Sequence, residues 1–471
     1  MSERAEKHPP VLIKNIARVD LLALHRLNPA RYPFYLASSA MATSQNGRYD
    51  ILFACPQARI DLRQDFTVHA EGVSLIGQGF LESFANWWQA DKQPADVETS
   101  AHGLPFRGGW FLYLGYELVN EIEPTLQLKP DRHSSLPVAR ATRIPAAIIL
   151  DHVSNETFLV VESDYADVLR LIEEDIAHVS VTSTPWSANI SMAEEAPQHY
   201  LDAVARVHEY IRDGDVFQVN LSRLWQGTRP NELSAATAFE KLAHSNPAPF
   251  AGMACFDETT AVISSSPERL VRSISDCVET RPIAGTRPRG SDQIDDEGMQ
   301  TELLAHPKER AEHIMLIDLE RNDLGRICIP GTVEVNEMMV LESYAHVHHI
   351  VSNVRGRLQA DITPSDIIHA VFPGGTITGC PKIRCMEIIN ELESGARGAY
   401  TGSMGYVNRD GDMDLNILIR TIVLEHDVIS VRAGAGLVAD SIAENELNET
   451  RAKARGMLNS LRSATDNRVE Q

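Results

Sequence analysis

Apolar residues along this chain recur with two periods, and the two are interspersed without strict alternation. Short apolar runs of strand length lie at 49–54, 110–114 and 146–150, and again at 217–221, 261–265 and 270–274. Helical spacing sets in at 197–213, where Tyr200, Ala203, Val204, Val207 and Ile211 share one face. A second helix is expected from His306-Pro307, with proline in its first turn, through Ile314, Met315 and Leu319 to a stop at Asn322-Asp-Leu-Gly325. Further helices are expected after Pro381 and after Asp440-Ser441, the last carrying Glu446, Glu449 and Lys453. The Ser, Thr and Ala-rich stretch 180–195 reads as a linker or a long surface connection. Strands and helices mixed in this way predict an α+β fold and not a doubly wound sheet.

With 471 residues and 43% hydrophobic positions the chain can bury a large core. Its 65 acidic against 43 basic side chains leave a net charge of −22, which argues against nucleic acid or an anionic membrane as partner. An anionic substrate would need local positive groups to overcome that field. The six cysteines are scattered, and Cys380 and Cys385 have no second Cys/His pair to complete a zinc site, so reduced thiols of a cytoplasmic protein are expected. No apolar signal core opens the chain and no run of eighteen apolar residues occurs, which predicts no membrane insertion.

Several constellations could carry chemistry. The decapeptide Arg281-Pro-Ile-Ala-Gly-Thr-Arg-Pro-Arg-Gly290 leaves little room for a helix and offers arginine and threonine donors to an anion. Glu309 and Glu312 are three residues apart on one helix, and Glu446 and Glu449 repeat the spacing on another. Such pairs suit a hard divalent cation, although spacing alone favours solvated acids, with Glu449 and Lys453 as a surface pair worth roughly 0.3–0.5 kcal/mol. The loop Gly374-Gly-Thr-Ile-Thr-Gly379 before a helix start can cradle a carboxylate or phosphate, yet a tight strand-to-helix turn explains it more simply. Ala433-Gly-Ala-Gly436 is read as a Gly-rich segment following a strand at 428–431, with backbone N–H groups open to an anion. Arg420 is a possible bidentate carboxylate clamp, or a salt-bridge partner. Of the adjacent His348 and His349 on a strand, one is expected to face inward.

In order and spacing, Arg281–Gly290, Asp318-Leu-Glu-Arg-Asn-Asp-Leu-Gly-Arg326, Val347-His-His-Ile-Val-Ser352, 374–382 and 433–438 resemble the motifs of the chorismate-utilising enzymes. The resemblance is strong over 195–465 and weaker over 1–180. It implies a single intertwined α+β fold of two large antiparallel sheets packed face to face with helices outside. By the same resemblance Glu312 and Glu449 match Mg²⁺ ligands, with Glu309 and Glu446 as supporting acids. Arg420 and Tyr400 match the residues that hold the enolpyruvyl carboxylate. Gly285, Thr376, Lys453 and the backbone of Gly434 and Gly436 match further substrate contacts, Thr286 joins the catalytic set, and His349 matches a candidate general acid.

One position separates family members that use water from those that use ammonia. Water users place a lysine base where this chain has Gln218, in Val216-Phe-Gln-Val-Asn-Leu-Ser222, so an amination is expected. The ammonia would come from a glutamine amidotransferase subunit in a heterodimer, because no glutaminase motif is evident in this chain. Ala248-Pro-Phe250, Ser265-Ser-Pro-Glu-Arg269, the His348-His349 doublet, Arg48-Tyr-Asp-Ile51 and Leu104-Pro-Phe-Arg-Gly-Gly109 resemble aminodeoxychorismate synthase component I, which acts towards 4-aminobenzoate and folate. Ala284 departs from that pattern, since many such enzymes carry a lysine nucleophile there and anthranilate synthases carry alanine. Anthranilate synthase component I is therefore the alternative, and a non-catalytic regulatory binding subunit the third reading. Cys380, at a helix start, is a conceivable substitute nucleophile, with a small buried filler the favoured account. Leu36-Ala-Ser-Ser39 lacks the glutamate of the tryptophan-binding motif found in relatives, which argues against feedback inhibition by tryptophan.

Overall fold

Two antiparallel sheets, of twelve and eleven strands, account for the strands of the described residues. The computed structural model describes residues 10–38, 47–94, 103–180, 189–290, 292–344 and 347–462. Both sheets draw strands from both halves of the chain. Phe34–Ala37 pairs with Phe250–Cys255 in the first sheet, and Gly109–Leu114 pairs with Ser403–Asn408 in the second. The sheets face one another across a shared apolar layer: Phe34, Phe53 and Val262 on one side meet Phe111, Tyr113, Met404 and Tyr406 on the other. Phe34 stacks on Phe111 with ring centroids 4.1 Å apart. Such alternation of inward apolar positions is what a pleated strand requires of a sheet buried on one face.

Helices cover the outer faces. Leu21–Leu27, Ala166–His178, Ala235–Ser245 and Ala443–Ser460 pack on the first sheet through Leu24, Ile172, Phe239 and Met457. Phe80–Asp91, Pro307–Gly325 and Pro364–Val371 cover the second through Phe84, Ile317, Leu324 and Ile368. Their starts follow local chemistry. Thr363 and Asp366 form a reciprocal capping box, and Pro307 occupies the first turn of its helix behind His306. No helix among the described residues is long and apolar enough to cross a membrane.

The expected elements at 49–54, 110–114, 146–150, 197–213, 261–265, 270–274 and 307–325 form within one or two residues of their predicted ends. Three expectations need correction. Of the proposed linker, Ala193–Glu194 is a short strand on Gln218–Thr228 and Ile190 donates its N–H to Leu461 O, so the end of that segment is tied down. The strand begun near 217 starts at Gln218 and runs on to Thr228, because polar Ser222, Arg223 and Gln226 still find partners along the sheet. Ala433-Gly-Ala-Gly436 does not follow a strand; it lies inside Val428–Leu437, where glycines let the neighbouring strand's side chains approach the backbone.

Two devices hold the region that matters for function. Arg397 is buried and donates to Glu393, to Asn220 O at 2.7 Å and to Ile377 O at 3.1 Å. Gly285 interrupts the pairing of Ile283–Pro288 with Val347–Arg357 as a bulge at φ +62°, and a Cβ there would lie 2.1 Å from Glu309 Oε2.

Arg397→Met is expected to lower the unfolding free energy by about 3–5 kcal/mol in urea titration, because buried Glu393 would lose its main charged partner and keep only the longer ion pair to Arg432 at 3.8 Å. A loss below about 1 kcal/mol would contradict that role for the pair. Gly285→Ala combines left-handed backbone strain of about 1–2 kcal/mol with displacement of Glu309, so a lower melting temperature is expected. Gly298→Ala, in the helix Gln293–Ala305 with open space around its Cα, is expected to stabilise by about 0.5–1 kcal/mol in the same measurement.

Candidate active site

Strand Gln218–Thr228 runs beside Val428–Leu437 and sets Asn220 opposite Gly436 and Ser222 opposite Gly434. The glycines are needed for space. A Cβ on Gly436 would lie 2.5 Å from Gln218 Nε2, and one on Gly434 would lie 2.7 Å from the Tyr400 hydroxyl and 2.8 Å from Asn220 Oδ1. Gln218 Oε1 and Asn220 Oδ1 are buried acceptors without a hydrogen-bond partner. Tyr400 is buried, and burial pushes its hydroxyl up to about 12, so it stays a neutral donor.

Arg420 adopts a left-handed backbone at φ +54° and aims its guanidinium into the same region, where Tyr400 is an electrostatic neighbour. Asn246 Oδ1, at 3.5 Å, is the polar partner recorded for it, and among the described residues no carboxylate pairs with it. Desolvation lowers its pKa accordingly. A desolvated arginine without an acid is an incomplete ion pair, and an anionic ligand completes it.

Arg420 also acts on His349, a member of the second cluster. Thr286 and His349 face each other across neighbouring strands with Thr286 Oγ1 and His349 Nδ1 2.9 Å apart. Burial, assisted by the Arg420 charge, lowers His349 to about 4, so its imidazole is neutral near neutral pH and serves as a hydrogen-bonding group. The expectation that one histidine of the doublet faces inward is corrected: both are buried. Their strand, Val347–Arg357, is flanked by strands on both sides and packed on both faces, so His348 meets Asp296 at 2.9 Å and Ser343 at 2.7 Å while His349 meets Thr286.

The third cluster centres on an acid that pattern reading passed over. Glu268, in Ser265-Ser-Pro-Glu-Arg269, is buried with Oε1 lacking a hydrogen-bond partner. Burial pushes it up to about 7, and the Thr376 hydroxyl, the Ile283 backbone and the Lys453 charge oppose that shift. Thr376 itself, on the turn Gly375–Ile377, is otherwise without a partner. The segment was visible in the sequence, but a glutamate beside an arginine reads as a surface pair until the fold buries it. Its neighbour Arg269 turns instead to Asp414 at 2.9 Å.

Of the four acids matched to a metal, Glu309 and Glu312 stand on Pro307–Gly325, and Glu446 and Glu449 on Ala443–Ser460. Glu309 pairs with Arg287 at 2.6 Å through one oxygen, while Oε2 is buried without a hydrogen-bond partner. Glu446 is buried, Glu312 is half-buried, and Glu449 is exposed and paired with Lys453 at 2.7 Å. No group of three or more His, Cys, Asp or Glu gathers as a ready metal site among the described residues. The orphaned buried oxygen of Glu309 fits a hard cation that takes few protein ligands and fills its shell with substrate and water.

Cys380 does not have the lowered pKa of a reactive thiol. It lies on a short strand against Gln218, Pro381 separates it from the helix Lys382–Leu392, and burial raises its pKa. All six cysteines are free thiols. Ala284 is buried on its strand. Leu36 and Ala37 lie on a strand of the first sheet, while Ser39 is outside the described residues.

Residues 37–459 match the family of chorismate binding enzymes. The chain is 37% identical over 435 residues to aminodeoxychorismate synthase component 1 of Bacillus subtilis, covering 89% of this chain and 91% of the relative. It is 42% identical over 360 residues to an anthranilate synthase component I-like protein of Synechocystis, covering 76% and 73%. Anthranilate synthase component I of Streptococcus pneumoniae superposes with a TM-score of 0.78 at 30% identity, covering 89% of this chain and 94% of the other. With its two face-to-face antiparallel sheets and its match to the family over residues 37–459, the chain belongs to the chorismate binding enzyme family.

Proposed function

We propose that this chain is the chorismate-aminating subunit of an aminodeoxychorismate synthase, taking ammonia from a glutamine amidotransferase partner in a heterodimer. The observation that carries chorismate as ligand is Arg420, a desolvated guanidinium without an acidic partner among the described residues. In this reading Arg420 and the Tyr400 hydroxyl hold the enolpyruvyl carboxylate over Gly434 and Gly436, whose missing side chains leave it room. The ring carboxylate lies towards Thr376, Lys453 and the acids Glu309, Glu312, Glu446 and Glu449. Mg²⁺ held by those acids, chiefly Glu312 and Glu449, would supply charge to neutralise the ring carboxylate.

Glu268 is the general acid in this proposal. Its carboxyl keeps its proton up to about 7, is buried, and has an oxygen without a partner. It donates that proton as the ring C–O bond breaks, and the hydroxyl leaves as water. Ammonia forms the new C–N bond and loses one proton, so charge and atoms balance. His349, neutral and held by Thr286, orients the leaving hydroxyl. Gln218 offers the nucleophile an acceptor, Oε1, and no base strong enough to activate water.

Ala284 favours a second reading. Buried and without a nucleophile, it cannot form a ring adduct, so ammonia attacks the ring directly, as anthranilate synthesis also requires. In that reading ammonia enters beside the ring carboxylate and pyruvate is eliminated. Purified chain incubated with chorismate, MgCl₂ and ammonium should yield a product that becomes 4-aminobenzoate when an aminodeoxychorismate lyase is added. Fluorescent anthranilate formed without a second enzyme would replace the first reading by the second, and no loss of chorismate would contradict both.

Glu268→Gln is expected to lower kcat by about 10²–10⁴-fold in that assay. The wild-type rate should fall on the alkaline side of about pH 7, because the acid works only while protonated and its raised pKa places the loss there. Arg420→Met is expected to raise KM for chorismate by about 10- to 100-fold, the scale of losing a hydrogen-bonded charge pair.

A further inference from the structure

The N-terminal half of the chain grips the turn that carries Tyr400. Strand Gly109–Leu114 pairs with Ser403–Asn408 so that Leu114 lies opposite Ser403. Residues 115–117 therefore leave one strand beside the turn that feeds the other. Glu117, in the short helix Tyr116–Leu118, is 3% exposed. Its Oε1 accepts the Arg397 N–H at 2.8 Å and its Oε2 accepts the Gly398 N–H at 3.1 Å. The Tyr116 N–H donates in return to Gly398 O at 2.8 Å. Within the turn, the Tyr400 N–H donates to Arg397 O at 3.0 Å, and Gly398 is left-handed at φ +58°.

These bonds fix the backbone from which Tyr400 projects. Side chains add to the grip: the Arg397 guanidinium lies 4.9 Å from the centre of the Tyr116 ring and 5.5 Å from that of Tyr400. The Tyr400 hydroxyl has little room to move, since it lies 2.7 Å from where a Cβ on Gly434 would stand. The charge on Glu117 is directed at the turn. Arg397 and Arg432 both pair with Glu393, so the hydrogen bonds of Glu117 come from the two backbone amides. A carboxylate offers each amide an acceptor oxygen, whereas a carboxamide would turn its NH₂ towards one of them.

We infer that Glu117 is a positioning residue for substrate binding, holding the turn at 397–400 so that the Tyr400 hydroxyl meets the enolpyruvyl carboxylate. This rests on Tyr400 contacting that carboxylate in the proposed function. Glu117 does not touch the substrate; it acts through the amides of Arg397 and Gly398 and the three-residue span to Tyr400. The contact joins residues 280 positions apart in the chain, so the N-terminal half takes part in substrate binding through this one side chain and its neighbour Tyr116. Loss of the grip lets the phenol drift from the position that the carboxylate requires, and binding weakens while the reacting ring atoms keep their own partners.

A double-mutant cycle tests this in the chorismate assay with MgCl₂ and ammonium. Glu117→Gln is expected to raise KM for chorismate about tenfold, the scale of one lost hydrogen bond to a charged group, with kcat within about threefold of wild type. Tyr400→Phe should raise KM by a similar factor. In the Tyr400→Phe background, Glu117→Gln should then change KM by less than about twofold, because both act through one hydroxyl. A wild-type KM for Glu117→Gln, even with a lower melting temperature, would mark a purely structural role and overturn the inference. So would two KM effects that multiply in the double variant. If Glu117→Gln does not fold, as judged by its melting curve, Glu117→Asp, which keeps the charge but withdraws it by one methylene, carries the same expectation and the same refutation. A wild-type KM for Tyr400→Phe would instead remove Tyr400 from the proposed site and the inference with it, so the two failures are distinguishable.

Discussion

The buried pair of Arg397 and Glu393 is the contact on which the site depends. Arg397 reaches Glu393 Oε1 at 2.7 Å and Oε2 at 3.0 Å, Asn220 O at 2.7 Å and Ile377 O at 3.1 Å. Glu393 in turn accepts the Ser222 N–H at 2.8 Å, and Glu117 accepts the Arg397 N–H at the same distance. The mutual attraction holds Glu393 below the usual carboxylate range and Arg397 above its ordinary value, despite burial that opposes both. One planar guanidinium thereby fixes the strand bearing Gln218, the turn bearing Thr376 and the turn bearing Tyr400. A buried charge network of this kind adds little net stability over an apolar core, but its geometry is specific and it is costly to break.

That rigidity helps resolve the conflict between a net charge of −22 and an anionic substrate. The site places its desolvated cation, Arg420, where no acid of the described residues neutralises it. Burial raises three interior acids towards neutrality or above it, Glu117 and Glu268 to about 7 and Glu320 to about 8. Surface acids act through water and salt, which weaken their field at the site, whereas Arg420 acts at contact range in a medium of lower dielectric.

Periodicity made most of the framework legible, because strands such as Tyr49–Ala54 and helices such as Pro197–Arg212 bury one face and leave that face in the residue pattern. Motif order brought together Thr286 with His349, and Tyr400 with Gly434, across 63 residues in the first case. Other features left no such trace. Val428–Leu437 continues through its glycines because a neighbouring strand supplies the ladder, whereas local propensity would end it. Both histidines of the doublet are buried because their strand is covered on both faces, a property of its neighbours.

Residue chemistry alone marked the α+β class, the family's motifs and the arginine, tyrosine and acidic helices of the site, since local patterning and side-chain type reside in the chain itself. Protonation and partnership were settled by packing. Glu268 and Glu320 became proton-bearing acids only once the turn Gly375–Ile377 and the helices enclosed them, and Cys380 was withdrawn from reactivity by the strand it pairs with. Desolvation and charge neighbours are sums over residues distant in sequence, so they arise with the tertiary structure.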